Sequence, residues 1–198
     1  MDVRAKILHE ATRLFAMKGV DGTSLQEISD AVGVRKPSLL YHFPSKEALH
    51  SSVLEHLLSR WNESLPRLLK AAAREDRFDA ILDETIEFFA ADVDRARLLL
   101  REALDRPAEM RELLRAHASP WLGIVAESIK KAQHEGSMLK EADPEAYVMQ
   151  VINLVVGTFA VGPLLQVLVH SRGQHEVDAR LVRELKRVAR AALVSRRN

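Results

Sequence analysis

Residues 23–43 read TSLQEISDAVGVRKPSLLYHF, and this stretch decides the fold. It predicts two short helices around a tight turn. The apolar residues of the first helix recur at helical spacing: Leu25, Ile28 and Val32. Thr23 is expected to cap this helix, and Gln26, three residues on, is expected to complete a capping box. Gly33 is the residue type that adopts the positive φ of a sharp turn, so it is expected to separate the two helices.

The second helix of the stretch is predicted to begin with cationic and hydroxyl side chains. Its first positions are Arg35, Lys36, Pro37 and Ser38. Proline is tolerated in a first helical turn, because the N–H that it lacks would have no partner there. A helix with such a first turn suits the major groove of DNA, where the first residues of a recognition helix reach base edges.

These features together resemble the N-terminal helix-turn-helix domain of the TetR family of bacterial transcriptional repressors. The resemblance runs from about Ile7 to about Leu54, and it rests on the following residues in this order: Ala11, Leu14, Phe15, Gly19, Thr23, Ser24, Ile28, Gly33, Val34, Leu39, His42, Phe43, Lys46, Glu47 and Leu49. One position departs from the family pattern. The family often has a tyrosine directly after the leucine at position 39, whereas this chain has Leu40 there and Tyr41 next. Whether Tyr41 replaces that tyrosine stays open at this point.

The resemblance implies that the second helix and its surroundings bind DNA. The residues expected at the DNA are Thr23, Ser24, Arg35, Lys36, Pro37, Ser38, Leu40, Tyr41, His42 and Lys46. The net charge of the chain is only +1, and its first 50 residues hold seven Lys or Arg against six Asp or Glu. Binding must therefore come from a local basic patch rather than from bulk charge. The alternative is that Arg35, Lys36 and Lys46 are solvated surface charges.

Composition narrows the class of protein further. The chain has 198 residues, of which 47% are hydrophobic, enough for a substantial core. It has no cysteine, which excludes disulfides and cysteine-ligated metals. The first 20 residues mix charged and apolar positions and contain no apolar signal-peptide core, so we expect a cytoplasmic protein.

The rest of the chain has a helical pattern nearly throughout, and we predict an all-α fold of about nine helices. Residues 1–50 are expected to form the helix-turn-helix DNA-binding domain, and residues 51–198 a helical effector-binding and dimerisation domain. A helix from Lys46 to about residue 73, with Ser45 as its cap and Pro66 as a point at which it can be interrupted, should cross this boundary without a flexible linker. A further helix over about 107–135 is expected to bend at Pro120.

The two helices over about residues 144–195 are predicted to form a homodimer interface. The first begins with Asp143 as a cap and Pro144 at its first position. Its segment 148–169 is long and apolar enough for a membrane span, but it contains polar residues such as Asn153, so we predict a helix buried in protein on most sides, outside any membrane. In the TetR family the last two helices pair with their symmetry mates, which implies a dimer on a palindromic operator of double-stranded DNA. The alternative is that both helices complete a monomeric core.

The sequence contains little that suggests catalysis. Glu47 and His50 have the spacing of a pair of di-iron ligands, but no second pair with that spacing exists. We find no nucleophile elbow and no phosphate-binding loop. We therefore expect no catalytic residue, no metal and no cofactor.

The resemblance implies instead a small-molecule effector bound within the second domain. Such sites are mostly apolar with a few polar groups. The candidate residues are Phe88, Phe89, His117, Trp121, Met149, Asn153 and Phe159, and the effector is expected to be apolar or aromatic. The leading interpretation is a dimeric repressor that its effector releases from DNA. The alternatives are an activator or effector-independent regulator of the same fold and, more distantly, a helical-bundle metalloenzyme.

Overall fold

The computed structural model describes residues 2–64, 66–67, 70, 77–168 and 174–193, and every regular element in these ranges is helical, which confirms the predicted all-α fold. The α-helices are α1 (Val3–Lys18), α2 (Leu25–Val32), α3 (Lys36–His42), α4 (Lys46–Asn62), α5 (Arg77–Ala90), α6 (Val93–Asp105), α7 (Pro107–His117), α8 (Ser119–His134), α9 (Pro144–Leu165) and α10 (Gln174–Leu193). A short 3-10 helix, Gln166–Leu168, follows α9.

The first three helices and the start of α4 form one compact unit. α1 packs against α2, α3 and α4, and Ile7 and Phe15 on its inner face are fully buried. Leu39 of α3 and Phe43, which directly follows α3, are buried in the same cluster. Because both side chains are anchored, α3 presents its opposite face to solvent in a fixed orientation.

The N-cap of α2 differs from the prediction by one residue. Ser24 is the cap, and its hydroxyl accepts a hydrogen bond from the backbone N–H of Glu27 at 3.1 Å. A hydrogen bond from Lys18, together with one from the backbone of Ser24, holds the pKa of the Glu27 carboxyl below its usual value. The capping box is therefore Ser24 with Glu27, and the prediction of Thr23 with Gln26 was wrong.

Three other residues end or cap a helix as the sequence predicted. Gly33 ends α2 in the left-handed region with φ of +77°, and the chain turns there into α3. The Ser45 hydroxyl caps α4 by accepting the N–H of Ala48 at 3.1 Å. The Asp143 carboxylate likewise accepts the N–H of Ala146 at 2.9 Å ahead of α9.

Two predicted helices have different limits. The helix expected over 107–135 is divided into α7 and α8 at Ala118, since Pro120 lies in the first turn of α8 and has no N–H to continue the α7 ladder. The described part of the chain therefore holds ten α-helices instead of about nine. α4 ends at Asn62, close to the interruption expected near Pro66, and residues 65, 68–69 and 71–76 of the predicted helix lie outside the described residues.

α9 occupies the centre of the second half of the chain, where it packs against α5, α6, α8 and α10. It is long and apolar enough to cross a membrane by length and composition, yet only 22% of its most apolar window is buried. Within one chain, therefore, the predicted burial on most sides is wrong. One face of α9 is covered, and Met149, Leu154 and Leu164 on other faces are exposed.

α10 turns the apolar side chains Val177 and Leu185 inward. Val177 and Leu185 are buried within the chain's own core, whereas Val188 is exposed. Ion pairs of Lys186 with Asp83 (2.6 Å) and of Arg190 with Asp79 join α10 to α5. α10 is therefore part of the fold of one chain, and it also exposes Val188.

Candidate DNA-binding surface and effector cavity

The first turn of α3 has the exposure that base or phosphate contact requires. Arg35 precedes the helix, and it and the next three residues are all exposed: Lys36, Pro37 and Ser38. The backbone N–H of Ser38 donates to the carbonyl of Arg35 at 2.9 Å, which closes the first turn. The predicted cationic and hydroxyl side chains are thus presented together on one rigid turn.

Tyr41, rather than Leu40, is the exposed one of these two side chains. The Tyr41 side chain is 86% exposed and lies edge-on to His42, with ring centroids 5.4 Å apart. Leu40, at the position where the family often has tyrosine, is half-buried, as is His42. The phenol on the outer face of α3 is therefore that of Tyr41.

Thr23 and Ser24 have different surroundings. Thr23 is buried, and its hydroxyl donates to the carbonyl of Gly19 at 2.8 Å, so it fixes the α1–α2 turn and is no longer a candidate for DNA contact through its side chain. Ser24 is exposed, and because its oxygen accepts the capping N–H, its own proton is free to donate to a phosphate.

Lys46 is half-buried at the start of α4. Its ammonium donates to the carbonyls of Val20 (3.0 Å) and Thr23 (3.3 Å). An ammonium group has three protons, so one remains for a phosphate. Lys46 thus joins α4 to the α1–α2 turn in addition to any contact with DNA.

α6 holds this unit from the other side through contacts that sequence patterns did not predict. The Arg101 guanidinium donates to the carbonyls of Ala16 and Met17, both at 3.3 Å. Arg106 pairs with Asp21 at 3.3 Å. These residues are about 85 positions apart in the chain, so no local spacing could reveal the contacts.

Two adjoining apolar cavities lie in the second half of the fold. The first, between α5, α8 and α9, has a volume of about 600 Å³ including the space at its mouth. The second, of about 500 Å³ by the same measure, lies between α4, α5 and α8, and it is also lined by residues of α6, α7 and α9. Thr85, Trp121 and Ile152 line both cavities. Their walls are almost wholly apolar, as the walls of small-molecule sites usually are.

Trp61 also lines the second cavity, and the sequence analysis did not predict this. It lies in the last turn of α4, and its ring centroid is 4.9 Å from that of Phe88 and 5.0 Å from that of Trp121. The helix that begins at the DNA-binding unit therefore ends in the aromatic wall of the cavity. An aromatic residue in the final turn of a long helix was the available signal.

The predicted effector residues divide into two groups. Those that line a cavity are Phe88, Phe89 and Trp121. Met149 and Asn153 are exposed on the outside of α9 and line neither cavity. His117 is half-buried and lies 3.5 Å from the Asn62 amide, and Phe159 packs against the core. Neither His117 nor Phe159 lines either of the two cavities.

Glu47 and His50, which have the spacing of a pair of metal ligands, make other contacts. The Glu47 carboxylate accepts hydrogen bonds from its own backbone and from Ser45, which lowers its pKa. His50 instead faces Glu102 on α6. Among the residues whose placement is described, no group of three His, Asp or Glu side chains is arranged to share a metal ion.

The sequence of the DNA-binding unit matches known regulators. Residues 7–53 match the family model of bacterial regulatory proteins of the TetR family. The transcriptional regulator RutR of Escherichia coli strain K12 is 47% identical over 55 residues, which are 28% of this chain and 26% of RutR. The match thus spans about a quarter of that relative's length. The regulator LmrA of Bacillus subtilis strain 168 is 29% identical over 147 residues, or 71% of this chain and 78% of LmrA.

The whole fold is also found among solved structures. AibR, solved in complex with isovaleryl coenzyme A and operator DNA, superposes with a TM-score of 0.73. The alignment covers 94% of this chain and 97% of AibR at 19% sequence identity. At that identity the likeness concerns the fold, and it extends from the DNA-binding unit to α10.

Proposed function

Because the chain belongs to the TetR family of bacterial regulatory proteins, we propose that it is a homodimeric transcriptional repressor that binds a palindromic operator and is released by a small-molecule effector. The observation that carries the proposal is the first turn of α3, where Arg35, Lys36 and Ser38 are exposed while Leu39 anchors the helix from behind. We divide the chain at residue 50 into a DNA-binding domain and a domain for effector binding and dimerisation. A repressor of bacterial genes works in the cytoplasm, and we assign the chain to that compartment.

The DNA-binding part of the proposal follows from shape and charge. A helix that offers guanidinium, ammonium and hydroxyl groups from one turn can combine base-edge contacts with phosphate contacts. Tyr41, one turn further along, adds an exposed phenol that can donate to a phosphate oxygen. The low net charge of +1 means that affinity must depend on these few groups.

The dimer is proposed from the apolar faces that one chain leaves uncovered. Leu154 of α9 and Val188 of α10 are exposed, and both belong to helices that also contribute to the core. Exposed apolar area on two adjacent long helices is typical of a surface that a partner covers. A two-fold axis through α9 and α10 would give a four-helix interface and two copies of α3, each for one half-site.

The effector step is proposed from the position of α4. Trp61, in its last turn, lines the second cavity, and Lys46, in its first turn, holds the α1–α2 turn. The rise of 1.5 Å per residue separates these two positions by about 22 Å of continuous helix. A ligand that displaces Trp61 therefore tilts or slides a rigid rod whose other end positions α3.

Release requires that the effector bind the DNA-free conformation more tightly than the DNA-bound one. A change from about 99% to 1% DNA-competent protein needs a preference of about 5.5 kcal/mol. A weaker preference would give partial release. DNA must lower the affinity for effector by the same factor by which effector lowers the affinity for DNA.

Footprinting on the DNA that flanks the chain's own gene tests the proposal. We expect protection of a palindrome whose half-site centres lie about 34–36 Å apart, one helical turn. Protection of a single half-site would contradict the dimer. Operator binding that recruits polymerase in a transcription assay would favour the activator alternative. Absence of any specific footprint, together with bound metal in elemental analysis, would favour the metalloenzyme.

A further inference from the structure

We propose that the effector is an uncharged, largely apolar molecule with a carbonyl-type oxygen, and that this oxygen accepts hydrogen bonds from the indole N–H groups of Trp61 and Trp121. The inference rests on the proposed function, because it names the chemistry of the ligand that the effector cavity takes.

The two indoles form a pair inside the second cavity. Trp61 comes from α4 and Trp121 from α8, their ring centroids are 5.0 Å apart, and both side chains line the cavity. Each residue is more than nine-tenths buried. Neither indole nitrogen has a hydrogen-bond partner among the described residues, and neither is open to solvent.

Unpartnered buried donors are rare in folded proteins, so two from adjacent rings are evidence of an absent acceptor. An indole N–H is a donor only, and another donor cannot satisfy it. A carbonyl oxygen has two lone pairs and can accept from both rings at once.

Three other polar side chains line the cavities: Ser128, which lines only the first cavity, and Thr85 and Tyr147, which are already engaged. The Thr85 hydroxyl donates to the carbonyl of Ile81 at 2.9 Å, and the Tyr147 hydroxyl donates to the carbonyl of Ala189 at 2.7 Å. Burial also raises the pKa of the Tyr147 phenol, so this group stays protonated and keeps donating. The indoles are therefore donors with nothing yet to bond.

Charge on the ligand is disfavoured by the same walls. The side chains that line the two cavities include no Asp, Glu, Lys, Arg or His. An ionised carboxylate or phosphate placed there would lose its hydration without gaining a counter-ion. An apolar body against the aromatic walls of Phe88 and Phe89, with one neutral acceptor, matches the lining.

The experiment uses the full-length chain and matched probes. The chain has two tryptophans, so its ¹H–¹⁵N spectrum contains two indole side-chain signals, and Trp61→Phe and Trp121→Phe assign them. The probes are 9-fluorenone, fluorene and fluorene-9-carboxylate, which share a ring system, with benzophenone and diphenylmethane as a second ketone and hydrocarbon pair. Phe88→Leu is the control variant, because it changes the cavity wall without removing an N–H.

We expect each ketone to bind about two- to tenfold more tightly than its hydrocarbon, the ratio that a net hydrogen bond gives, and both indole proton signals to move downfield. Each Trp→Phe variant should reduce that ratio, whereas Phe88→Leu should weaken ketone and hydrocarbon equally.

Equal binding of ketone and hydrocarbon with unmoved indole signals overturns the inference alone, as does tightest binding of the carboxylate. No binding of any probe overturns the inference and leaves the effector step to the inducer screen. Ketone binding that never releases operator DNA supports the inference and overturns only the release step.

Discussion

His50 Nε2 of α4 lies 2.9 Å from Glu102 Oε2 of α6, and this buried contact joins the DNA-binding unit to the helical domain. The Glu102 carboxylate is almost completely buried, and its other oxygen lies 3.5 Å from the Arg106 guanidinium. The His50 ring also packs edge-on against Phe15 in the core of the DNA-binding unit. The position of α4 is thus fixed from α6 as well as from the cavity.

We predict that Glu102→Ala destabilises the chain. Removal of the carboxylate leaves the buried His50 nitrogen without its partner and should lower the free energy of unfolding by about 1–3 kcal/mol, as measured by urea denaturation. Glu109→Ala is the matched control, because Glu109 faces the same Arg106 at 3.7 Å but is exposed. That control should change the free energy of unfolding by less than about 0.5 kcal/mol. Equal effects of the two variants would contradict a structural role for the buried contact.

The second prediction separates the two sides of α3. Phe43→Ala should lower the free energy of unfolding by about 3–5 kcal/mol, because the ring is buried against the first three helices. Tyr41→Ala should change it by no more than about 0.5 kcal/mol, since the phenol is exposed, and should instead weaken operator binding. Urea denaturation and a gel-shift titration of both variants make the comparison. A large stability loss in Tyr41→Ala would be inconsistent with the exposed phenol.

The local features of this fold could be predicted from sequence because their causes are local. Gly33, Ser45 and Asp143 act within one turn of the residues that they affect. The capping box was misplaced by one residue because the pattern fits twice: Thr23 precedes a glutamine by three residues, and Ser24 precedes a glutamate by three. Burial of Thr23 against the Gly19 carbonyl, a packing effect, decides between them.

The cavity walls were only partly predictable because α9 is apolar on nearly every side. An amphipathic helix shows which face is inward, but a uniformly apolar one does not. Met149 and Asn153 were therefore assigned to the cavity although the rotation of the helix turns them outward. Trp61 and the contact between His50 and Glu102 depend on how distant helices pack, which no single-sequence spacing encodes.

The third prediction concerns DNA. Arg35→Ala combined with Lys36→Ala should abolish operator binding at moderate salt, because both cations stand on the exposed first turn of α3. If each contacts a phosphate, a titration at lower salt should show a salt slope shallower by about 1 for each lost contact. Arg111→Ala with Lys140→Ala is the control, since it removes two exposed charges elsewhere. Unchanged gel-shift affinity in the folded Arg35 and Lys36 variant would exclude this surface.

The fourth prediction tests the dimer. Leu154→Asp should give monomers in light scattering and lose operator binding, because it places a charge on the uncovered face of α9. Leu154 is 37% exposed in one chain, so the monomer should still fold. Ile124→Asp on α8 is the control, at 40% exposure, and should remain a dimer. Leu185 is unsuitable for this test, because it is buried in the core of its own chain. A dimer that persists in Leu154→Asp would refute an interface through this face.

The last prediction tests whether the second cavity is the place from which DNA is released. Ala118→Phe should fill the space beside Trp61 and Trp121, since Ala118 lines that cavity. The added ring should cost at most about 1–3 kcal/mol of folding free energy, and it should leave operator affinity in place. An inducer found by screening should then need a much higher concentration to release the DNA. Ser119→Phe, one residue along and exposed, adds the same ring outside and should leave the inducer response unchanged. If both variants respond like the unmodified chain, the effector binds elsewhere, and α4 does not transmit its signal from this cavity.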